Sequence, residues 1–340
     1  MSLPEVWLSA PSVRLPALVR DNEQVLGLVR EQFLGDDAQW AKVESRIRSL
    51  WRACGTDKRH FEPEPFPVAG HAAAAAGEAL QKAGIAATDV DLYLYGSLAR
   101  EYFEPATASE VALRLHAPHA MALDVTAACA GSLLAIQDFV ARAAVDDAIR
   151  TGVVCTSTVW APGYIQYGIQ TPAEVTSLGA GLTLGNAAAG MVLTRDQRPG
   201  SGRIRAMYAE AMNEHHPLCR APVNGHFFSD GPALFGLARH LPGHVKKLCA
   251  RAGWDISEVD LFVCHQPSNS VLRALAAATE TPPERVPQLH AFYGNCAESA
   301  VPLTLRHVLD HGMVKPGAKL VLAAAASGFV MASLAVEWGE

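Results

Sequence analysis

The hydrophobic pattern alternates between short apolar runs and longer amphipathic stretches. The run MALDVT at 121–126 precedes SLLAIQDFVARAAVDDAI at 132–149, where Leu133, Ile136, Val140 and Ala144 fall on one helical face. The run GVVCTST at 152–158 then predicts another buried strand. Strands that alternate with helices in this way predict an α/β protein whose sheets carry helices on their faces.

The C-terminal segment LVLAAAASGFVMASLAV at 320–336 carries no charge. Its length is close to the lower limit for a membrane-spanning helix. Ser327 and Gly328 interrupt it, and Val- and Leu-rich pieces flank them. We therefore expect two buried strands joined by a tight turn, and no membrane span.

The chain repeats part of its own pattern. ALQKAGIAATDVDLYLYGS at 79–97 matches LCARAGWDISEVDLFVCHQ at 248–266 at a constant shift (252 − 83 = 169 and 259 − 90 = 169). A second echo aligns AACAGS with GNCAES through Cys129 and Cys296 (296 − 129 = 167). Two echoes in the same order predict an internally duplicated protein. The Pro- and Gly-rich stretch 194–205 is the expected seam, which gives an N-terminal half 1–195 and a C-terminal half 196–340.

Composition and charge narrow the class of protein. The 340 residues are 50% hydrophobic and 18% charged, with a formal net charge of −6, which argues against a nucleic-acid binder or a binder of anionic membranes. Seven cysteines without a CxxC pair do not form the pattern of a disulfide framework or a zinc site. The first residues lack a secretory signal pattern, so we expect reduced thiols in the cytoplasm.

Cys129 is the first candidate for chemistry. It follows the strand MALDVT in a group of small residues and stands where the next helix begins. A helix N-terminus favours a thiolate, and its free N–H groups can hold an oxyanion formed on a thioester carbonyl. The alternative is a buried cysteine that fills space as a small hydrophobic residue.

His265 and Asn295 are the other two candidates. His265 directly follows a buried strand of the second repeat, and Asn295 lies near the loop that echoes the Cys129 corner. Each alone has an ordinary structural interpretation, as a buried histidine and as a turn or cap residue. Together with Cys129 they fit one reaction. The cysteine takes an acyl group from a thioester, and the two neutral side chains donate hydrogen bonds to the carbonyl oxygen of a second thioester.

These motifs resemble a known family. DVTAACAGSLLA, CHQPSN and YGNCAESAVPLTL are similar to the cysteine, histidine and asparagine motifs of the ketoacyl-ACP synthase III branch of the thiolase superfamily. CGTDKRHF at 54–61 and SGFVMASLAVEW at 327–338 resemble its early Gly-x-x-x-Arg-His segment and its closing strand pair. The resemblance implies the duplicated five-layer α-β-α-β-α thiolase fold, a homodimer and a catalytic triad of Cys129, His265 and Asn295.

The resemblance also implies substrates and supporting residues. The substrates would be acyl-CoA or phosphopantetheinyl-ACP thioesters, with no tightly bound cofactor and no metal. The oxyanion hole would combine the backbone N–H of Cys129 with that of Ser327 or Gly328. Phe103 would project across a dimer toward the neighbouring acyl pocket, although ordinary packing is an alternative for it.

The chain departs from the family pattern at several positions. The glycine run of the closing strand is replaced by Ala325–Gly328, and a glycine-rich loop reads GNAAAG at 185–190. Pro267 and Ser268 replace the usual Ala-Asn after the histidine, and the expected arginine is out of register, with Arg273 the nearest. Such departures favour a member from specialised metabolism over the housekeeping initiator of fatty-acid synthesis.

Basic residues on two predicted helices are candidates for carrier-protein docking. Acyl carrier proteins are acidic, so a basic rim near the substrate tunnel would steer them. The alternative is a solvated charged face. The candidates are Lys246, Lys247, Arg251 and Arg273.

Other cysteines and histidines are weaker candidates. Cys296 is the one serious rival nucleophile, because it stands beside Asn295 and echoes Cys129. Cys155 and Cys264 lie in apolar strands and are expected in the core. The HH pair at 215–216 has no third metal ligand at a useful spacing, so we expect it in a loop.

The leading hypothesis is a ketosynthase-III-like enzyme of polyketide or fatty-acid-type biosynthesis. Cys129 would be acylated, and a Claisen condensation with a malonyl- or β-ketoacyl-thioester would follow. One alternative is an acyltransferase of the same fold that moves the acyl group from Cys129 to an alcohol, an amine or a carrier thiol. A variant condensation joins two β-ketoacyl chains into a pyrone. A non-catalytic partner subunit is the remaining alternative.

Overall fold

The computed structural model describes residues 4–61, 68–158, 164–222 and 225–339. The strands are β1 (Trp7–Ser9), β2 (Ser12–Arg14), β3 (Leu18–Asp21), β4 (Lys58–Phe61), β5 (Leu92–Tyr95), β6 (Met121–Asp124), β7 (Thr151–Ser157), β8 (Ala188–Thr194), β9 (Ser201–Ala211), β10 (Cys219–Arg220), β11 (Phe228–Ser229), β12 (Leu261–Cys264), β13 (Lys319–Ala326) and β14 (Val330–Trp338). The helices are α1 (Asn22–Glu31), α2 (Asp37–Cys54), α3 (Val68–Ala83), α4 (Thr107–Arg114), α5 (Gly131–Ala143), α6 (Pro172–Leu178), α7 (Gly231–Leu237), α8 (Leu241–Ala252), α9 (Asn269–Ala278), α10 (His290–Tyr293) and α11 (Ala300–Asp310).

One continuous sheet joins the two parts of the chain. Its strand order is β12-β13-β14-β9-β1-β8-β7-β5-β6, and β2 also pairs with β8. The short strand β1 connects the two parts because it pairs antiparallel with both β8 and β9. The pairs β5–β6, β5–β7 and β12–β13 are parallel, as expected for strands linked through helices.

The core clusters that the strand side chains join show that the fold has five layers. Leu94 of β5 and Val263 of β12 belong to the same core cluster, which also contains the inner faces of α5 and α11. The neighbouring residues Tyr95 and Phe262 point to the opposite faces of their strands. Tyr95 packs in a cluster with α3 and α4, and Phe262 packs in a cluster with α8 and α9. The order is therefore helices, the β5 end of the sheet, helices, the β12 end of the same sheet, and helices, which confirms the predicted α-β-α-β-α arrangement.

The predicted duplication is present in the backbone. Helices α3 and α8 each end before a glycine with positive φ, Gly84 at 64° and Gly253 at 72°. A 3-10 turn follows in each copy, Ala87–Asp89 and Ile256–Glu258, and then β5 or β12. Both turns and strands keep the shift of 169 (256 − 87 and 261 − 92). The division of the chain at residues 195 and 196 stays a prediction.

The predicted helix after Cys129 is shorter than the hydrophobic pattern indicated. It ends at Ala143 and not at Ile149. The carboxylate of Asp146 accepts a hydrogen bond from the backbone N–H of Ala148 at 2.9 Å. This side-chain bond stabilises a turn at 146–148, where the hydrophobic pattern had predicted further helix.

The uncharged C-terminal segment forms the antiparallel pair β13 and β14, as predicted. Ser327 and Gly328 lie in the turn between them, and Gly328 has a φ of 99°, a conformation that favours glycine. Across the described ranges, none of the helices has the length and apolar character that a membrane crossing requires. The cytoplasmic location stays a prediction.

Candidate active site

The corner that carries Cys129 is built from small residues and an unusual backbone conformation. A 3-10 turn, Ala128–Ala130, leads directly into α5. Ala128 has a φ of 45°, in the left-handed region that non-glycine residues rarely occupy. Gly131 packs directly against the backbone of Gly96, since a Cβ on Gly131 would lie 2.5 Å from the Gly96 oxygen. The structure thus places Cys129 at the start of a helix, on a tightly packed turn.

Strand β6 holds this corner from the other side. The two carboxylate oxygens of Asp124 accept hydrogen bonds from the backbone N–H groups of Thr107 and Ala108, each at 2.9 Å. Because these N–H groups belong to the first turn of α4, Asp124 also caps that helix. The end of β6 is therefore fixed to α4 before the chain turns toward Cys129.

The thiol of Cys129 is protonated at rest. The residue keeps some accessible surface, so a substrate can meet it. Burial raises the pKa of the thiol far above its usual range, and the nearby charges of Glu298 and Cys219 raise it further. A backbone hydrogen bond at the helix start acts in the opposite direction and is smaller. The local effect that favours a thiolate is present, but burial outweighs it.

His265 follows β12 and is 4% exposed. Its backbone N–H donates to the carbonyl of Ala323 on β13 at 2.8 Å. Burial lowers the pKa of His265 to about 3, and the neighbouring His290 contributes to this shift. A hydrogen bond with the Ala297 backbone acts in the opposite direction. Within the described part of the chain, the ring nitrogen Nδ1 has no hydrogen-bond partner. The imidazole is therefore neutral at ordinary pH.

Asn295 follows the short helix α10, and the backbone orients it tightly. Its N–H donates to the carbonyl of Thr183 at 2.9 Å, and its own carbonyl accepts from the N–H of Gly185 at 3.0 Å. The side-chain oxygen Oδ1 accepts from the backbone N–H of Ala297 at 2.9 Å. Because the oxygen is engaged in this way, the NH2 group is the side of the carboxamide that can donate to a substrate.

The 3-10 turn Ala297–Ser299 connects the three candidate residues. It contacts the turn Ala128–Ala130 that holds Cys129. Ala297 bonds the side chain of Asn295 and lies against the ring of His265. The catalytic roles of Cys129, His265 and Asn295 stay predictions, but the fold gathers the three residues around one turn.

The residue that mirrors Cys129 is Glu298, and the alignment of Cys129 with Cys296 was wrong. The turns Ala128–Ala130 and Ala297–Ser299 are related by the same shift of 169 as the rest of the duplication (297 − 128). Ala128 and Ala297 share positive φ values of 45° and 42°. A constant shift carried from the first repeat would have placed residue 298 opposite residue 129 in the sequence.

Glu298 is a buried carboxyl group that the sequence analysis did not single out. It is 0% exposed. One carboxylate oxygen accepts a hydrogen bond from the hydroxyl of Ser97. Ser97 lies two residues after the end of β5 at Tyr95. Burial raises the pKa of Glu298 to about 7, although hydrogen bonds from Ser97 and from the backbone of Leu98 and of Glu298 itself lower it.

The rival nucleophile Cys296 is 1% exposed, and its thiol donates to the carbonyl of Tyr293 at 3.3 Å. Burial raises its pKa to about 12, and the charge of Glu298 adds to this effect. Cys155 and Cys264 are buried in the core, as predicted. Cys296 is thus less accessible than Cys129.

The turn between β13 and β14 approaches the Cys129 corner. Both strands contact the 3-10 turn Ala128–Ala130. The hydroxyl of Ser327 donates to the sulfur of Cys219 at 3.2 Å, and the charge of Cys219 affects the pKa of Cys129. This location is compatible with an oxyanion hole at Ser327 or Gly328, and the choice between them stays a prediction.

The remaining predicted residues lie on the surface. Phe103 is 80% exposed, so within one chain it is not packed against the site. Lys247 forms an ion pair with Glu210 at 2.7 Å, and Arg251 lies 4.3 Å from the ring centroid of Tyr208.

Lys246 and Arg273 are also exposed, on α8 and α9. The Arg273 guanidinium is 3.4 Å from both Gln288 and Ser270. The docking role of these four basic residues stays a prediction.

His215 and His216 lie in a 3-10 turn, Asn213–Leu218. In the parts of the chain that the structure describes, no three His, Cys, Asp or Glu side chains are grouped as metal ligands.

Comparison with known proteins shows which family the chain resembles. Residues 249–338 match the sequence model of the 3-oxoacyl-[acyl-carrier-protein] synthase III C-terminal family. The β-ketoacyl-ACP synthase III of Pseudomonas aeruginosa is 26% identical over 323 residues, with 91% of this chain and 93% of that protein covered. A Streptomyces coelicolor β-ketoacyl-ACP synthase III is 28% identical over 327 residues, covering 95% of this chain and 91% of that protein. The chain is thus similar along almost its whole length to β-ketoacyl-ACP synthases III, and its C-terminal part matches the model of their C-terminal family.

Solved structures agree on the fold. The crystal structure of the Pseudomonas aeruginosa synthase III superposes with a TM-score of 0.84 at 23% identity, covering 98% of each chain. A Xanthomonas campestris OleA structure with bound lauric acid and lauroyl-CoA superposes with a TM-score of 0.88 at 23% identity, covering 99% of this chain and 100% of the other. The segment matched by the family model contains His265 and Asn295, whereas Cys129 precedes it.

Proposed function

We propose that the protein is a β-ketoacyl-ACP synthase III-type enzyme that forms a carbon–carbon bond between two thioesters. Cys129 takes the acyl group of an acyl-CoA or acyl-ACP, and the second substrate is a malonyl- or β-ketoacyl-thioester. The relatives of similar length carry the name of β-ketoacyl-ACP synthase III, which supports this reaction class. The departures from the family motifs favour a role in specialised metabolism.

One observation carries the proposal: the turn Ala297–Ser299 contacts the Cys129 turn and lies beside both His265 and Asn295. His265 is neutral because burial lowers its pKa to about 3. The Asn295 carboxamide is oriented so that its NH2 group is free to donate. Two neutral donors suit an oxygen that becomes negative only in the transition state.

The reaction would proceed in two stages. In the first, the Cys129 sulfur bonds to the acyl carbonyl carbon and the carrier thiol leaves, while backbone N–H groups of Cys129 and of Ser327 or Gly328 hold the oxyanion. In the second, a malonyl-thioester loses carbon dioxide, and the resulting enolate oxygen accepts hydrogen bonds from His265 and Asn295. The enolate carbon then attacks the carbonyl carbon of the acyl-enzyme, and the Cys129 sulfur leaves as a thiolate that takes one proton from solvent to restore the resting thiol.

The alternative on the same fold is transfer of the acyl group to an alcohol, an amine or a carrier thiol. It requires His265 to act as a general base toward the acceptor. A histidine whose pKa is lowered to about 3 is a weak base. This property favours condensation over simple transfer.

Two further parts of the proposal concern partners. We propose a homodimer, since β6 is an edge strand whose Met121 is 54% exposed, and since Phe103 is 80% exposed within one chain. We also propose that an acyl carrier protein docks on the exposed side of α8 and α9. Lys246 and Arg273 are exposed there and have no acidic partner among the residues that the structure describes, whereas Lys247 is paired with Glu210.

The test combines intact mass with carbon dioxide release. The protein is incubated with acetyl-, butyryl-, octanoyl- and lauroyl-CoA, and the acyl-enzyme is read by mass spectrometry. Radiolabelled malonyl-CoA and malonyl-ACP are then added. We expect acyl mass on the wild type but not on Cys129→Ala, followed by carbon dioxide release and a product with a new carbon–carbon bond. Acyl mass that persists on Cys129→Ala, or transfer of the acyl group to an alcohol, an amine or a thiol without a new carbon–carbon bond, would contradict the proposal.

A further inference from the structure

The most unusual polar group near Cys129 is the carboxyl of Glu298. The side chain is fully buried, and its oxygen Oε2 has no hydrogen-bond partner among the residues that the structure describes. An unpartnered carboxylate oxygen in the interior is energetically costly, so it calls for a specific role or a proton. Its turn contacts the turn of Cys129, and the internal duplication places it in the mirror position of the nucleophile.

The proposed reaction leaves one proton without an acceptor. The Cys129 thiol is protonated at rest, because burial raises its pKa. Attack on a thioester therefore requires that the proton leave the sulfur. His265 is poorly suited to receive it, since its pKa is lowered to about 3 and its neutral form is needed as a hydrogen-bond donor in the second stage.

We propose that Glu298 is the proton acceptor for Cys129 during acylation, an inference that rests on the proposed function. As the Sγ–C bond to the thioester carbonyl forms, the S–H bond breaks and the proton is transferred to Oε2, directly or through one water. When the C–S bond of the thioester breaks, the proton passes from Oε2 to the departing thiolate. The carboxylate is regenerated, and no other reactant is needed.

The electrostatics of the buried pair support this transfer. A carboxyl whose pKa is raised to about 7 is ionised enough at neutral pH to act as a base and accepts a proton more readily than an ordinary glutamate. The ionised carboxylate raises the pKa of the thiol, so the two groups resist carrying charge together. Moving the proton from sulfur to oxygen keeps a single negative charge in the pocket.

Several other titratable groups face Glu298. Its charge raises the pKa of Tyr95 on β5, of Tyr164, and of Cys296 beside Asn295, in addition to that of Cys129. Burial is the largest cause in each of these four groups, and all of them are neutral acids near pH 7. Among the groups that face one another here, Glu298 is therefore the one that titrates near neutral pH.

The test measures the rate of Cys129 acylation against pH. Single-turnover acylation with the fastest of the four acyl-CoA donors is followed by mass spectrometry from pH 5.5 to 9, in ~0.5-unit steps. Iodoacetamide alkylation of Cys129 is measured in parallel. For the wild type we expect rates that rise to a plateau with a midpoint near 7, the pKa of Glu298. For Glu298→Gln we expect that midpoint to vanish and acylation on the plateau to fall by about 100-fold.

The control is Glu110→Gln on α4, which removes a partly buried carboxylate paired with Arg114 and should leave the acylation rate and its midpoint unchanged. A Glu298→Gln protein with the wild-type midpoint and rate would overturn the inference. Faster acylation of Glu298→Gln at every pH would also overturn it, because Glu298 would then only repel the thiolate.

A second variant serves if Glu298→Gln does not fold. Ser97→Ala removes the hydroxyl that lowers the pKa of Glu298, so the midpoint should move to higher pH. An unchanged midpoint in Ser97→Ala would contradict the inference. Failure of the proposed function is distinguishable, because it would appear as acyl mass on Cys129→Ala or as no acyl-enzyme with any donor.

Discussion

Gly131 is the residue at which a single methyl group should disturb the nucleophile corner most directly. It begins α5 with φ −54° and ψ −45°, a helical conformation that alanine adopts readily. In most helical positions, Gly→Ala would stabilise the protein by about 1 kcal/mol. Any destabilisation by Gly131→Ala must therefore come from packing.

The structure gives the size of the steric conflict. A Cβ on Gly131 would lie 2.5 Å from the carbonyl oxygen and 2.9 Å from the carbonyl carbon of Gly96. Since side chains do not approach closer than 3.0 Å, the backbone must retreat by at least 0.5 Å (3.0 − 2.5). Gly96 cannot yield easily, because its N–H is bonded to the carbonyl of Cys155 at 2.9 Å. Overpacking against a fixed backbone costs roughly 1–3 kcal/mol, and we expect the upper part of this range.

The expected net effect of Gly131→Ala is thus a loss of about 1–2 kcal/mol of stability. Thermal unfolding should show a fall in Tm of about 2 °C or more. Acylation of Cys129 should slow as well, because the turn that carries the sulfur is displaced. The matched control is Gly243→Ala on α8, where an added Cβ meets no atom within 4 Å and a small gain is expected. A Gly131→Ala protein as stable as Gly243→Ala would refute this steric reasoning.

Three other predictions concern catalysis, pH and docking. Asn295→Ala should lower carbon dioxide release by about 10²–10³-fold while acyl-enzyme still forms, as measured with radiolabelled malonyl-thioester; unchanged release would remove Asn295 from the enolate site. His265 and His290, whose pKa values are lowered from 6.5 to about 3 and about 4, contribute stability that is complete above pH 6.5 and is lost as the pH falls. Each histidine changes the free energy of unfolding by at most about 1.4 kcal/mol per pH unit. Glu298, whose pKa is raised to about 7, has the opposite effect below pH 7 and offsets one of the two histidines. Tm should therefore still fall as the pH is lowered from 6.5 to 4.5, and a Tm that rises over this range would contradict the assignment. Lys246→Glu should raise the KM for an acyl-ACP several-fold at low salt and leave the KM for acyl-CoA unchanged, and an equal effect on both donors would exclude a docking role.

Much of the fold followed from local patterns along the chain. The buried strands β5 and β12 come from short apolar runs, and the apolar face of α5 comes from helical periodicity, both of which a sequence displays directly. The duplication could also be predicted from the sequence, because helix-ending glycines and acidic turns recur at one spacing. The motif residues Cys129, His265 and Asn295 could be chosen because each stands at the end of a predicted strand or the start of a helix.

Other features required the tertiary structure. The sequence patterns do not indicate that β1 pairs with both β8 and β9, since pairing depends on which edges meet after folding. The apolar pattern did not indicate that α5 ends at Ala143 or that Asp146 stabilises a turn after it. The echo of Cys129 was misassigned to Cys296 because two similar cysteines drew the alignment away from the constant shift.

The chemical state of the site shows the division between sequence and structure. The sequence determined that a cysteine stands at a helix start, where the local dipole favours a thiolate. The tertiary structure decided that the thiol stays protonated, that His265 is neutral and that Glu298 titrates near neutrality. The physical reason is that a helix dipole arises from a few neighbouring peptide groups, whereas desolvation sums over atoms that distant segments bring together.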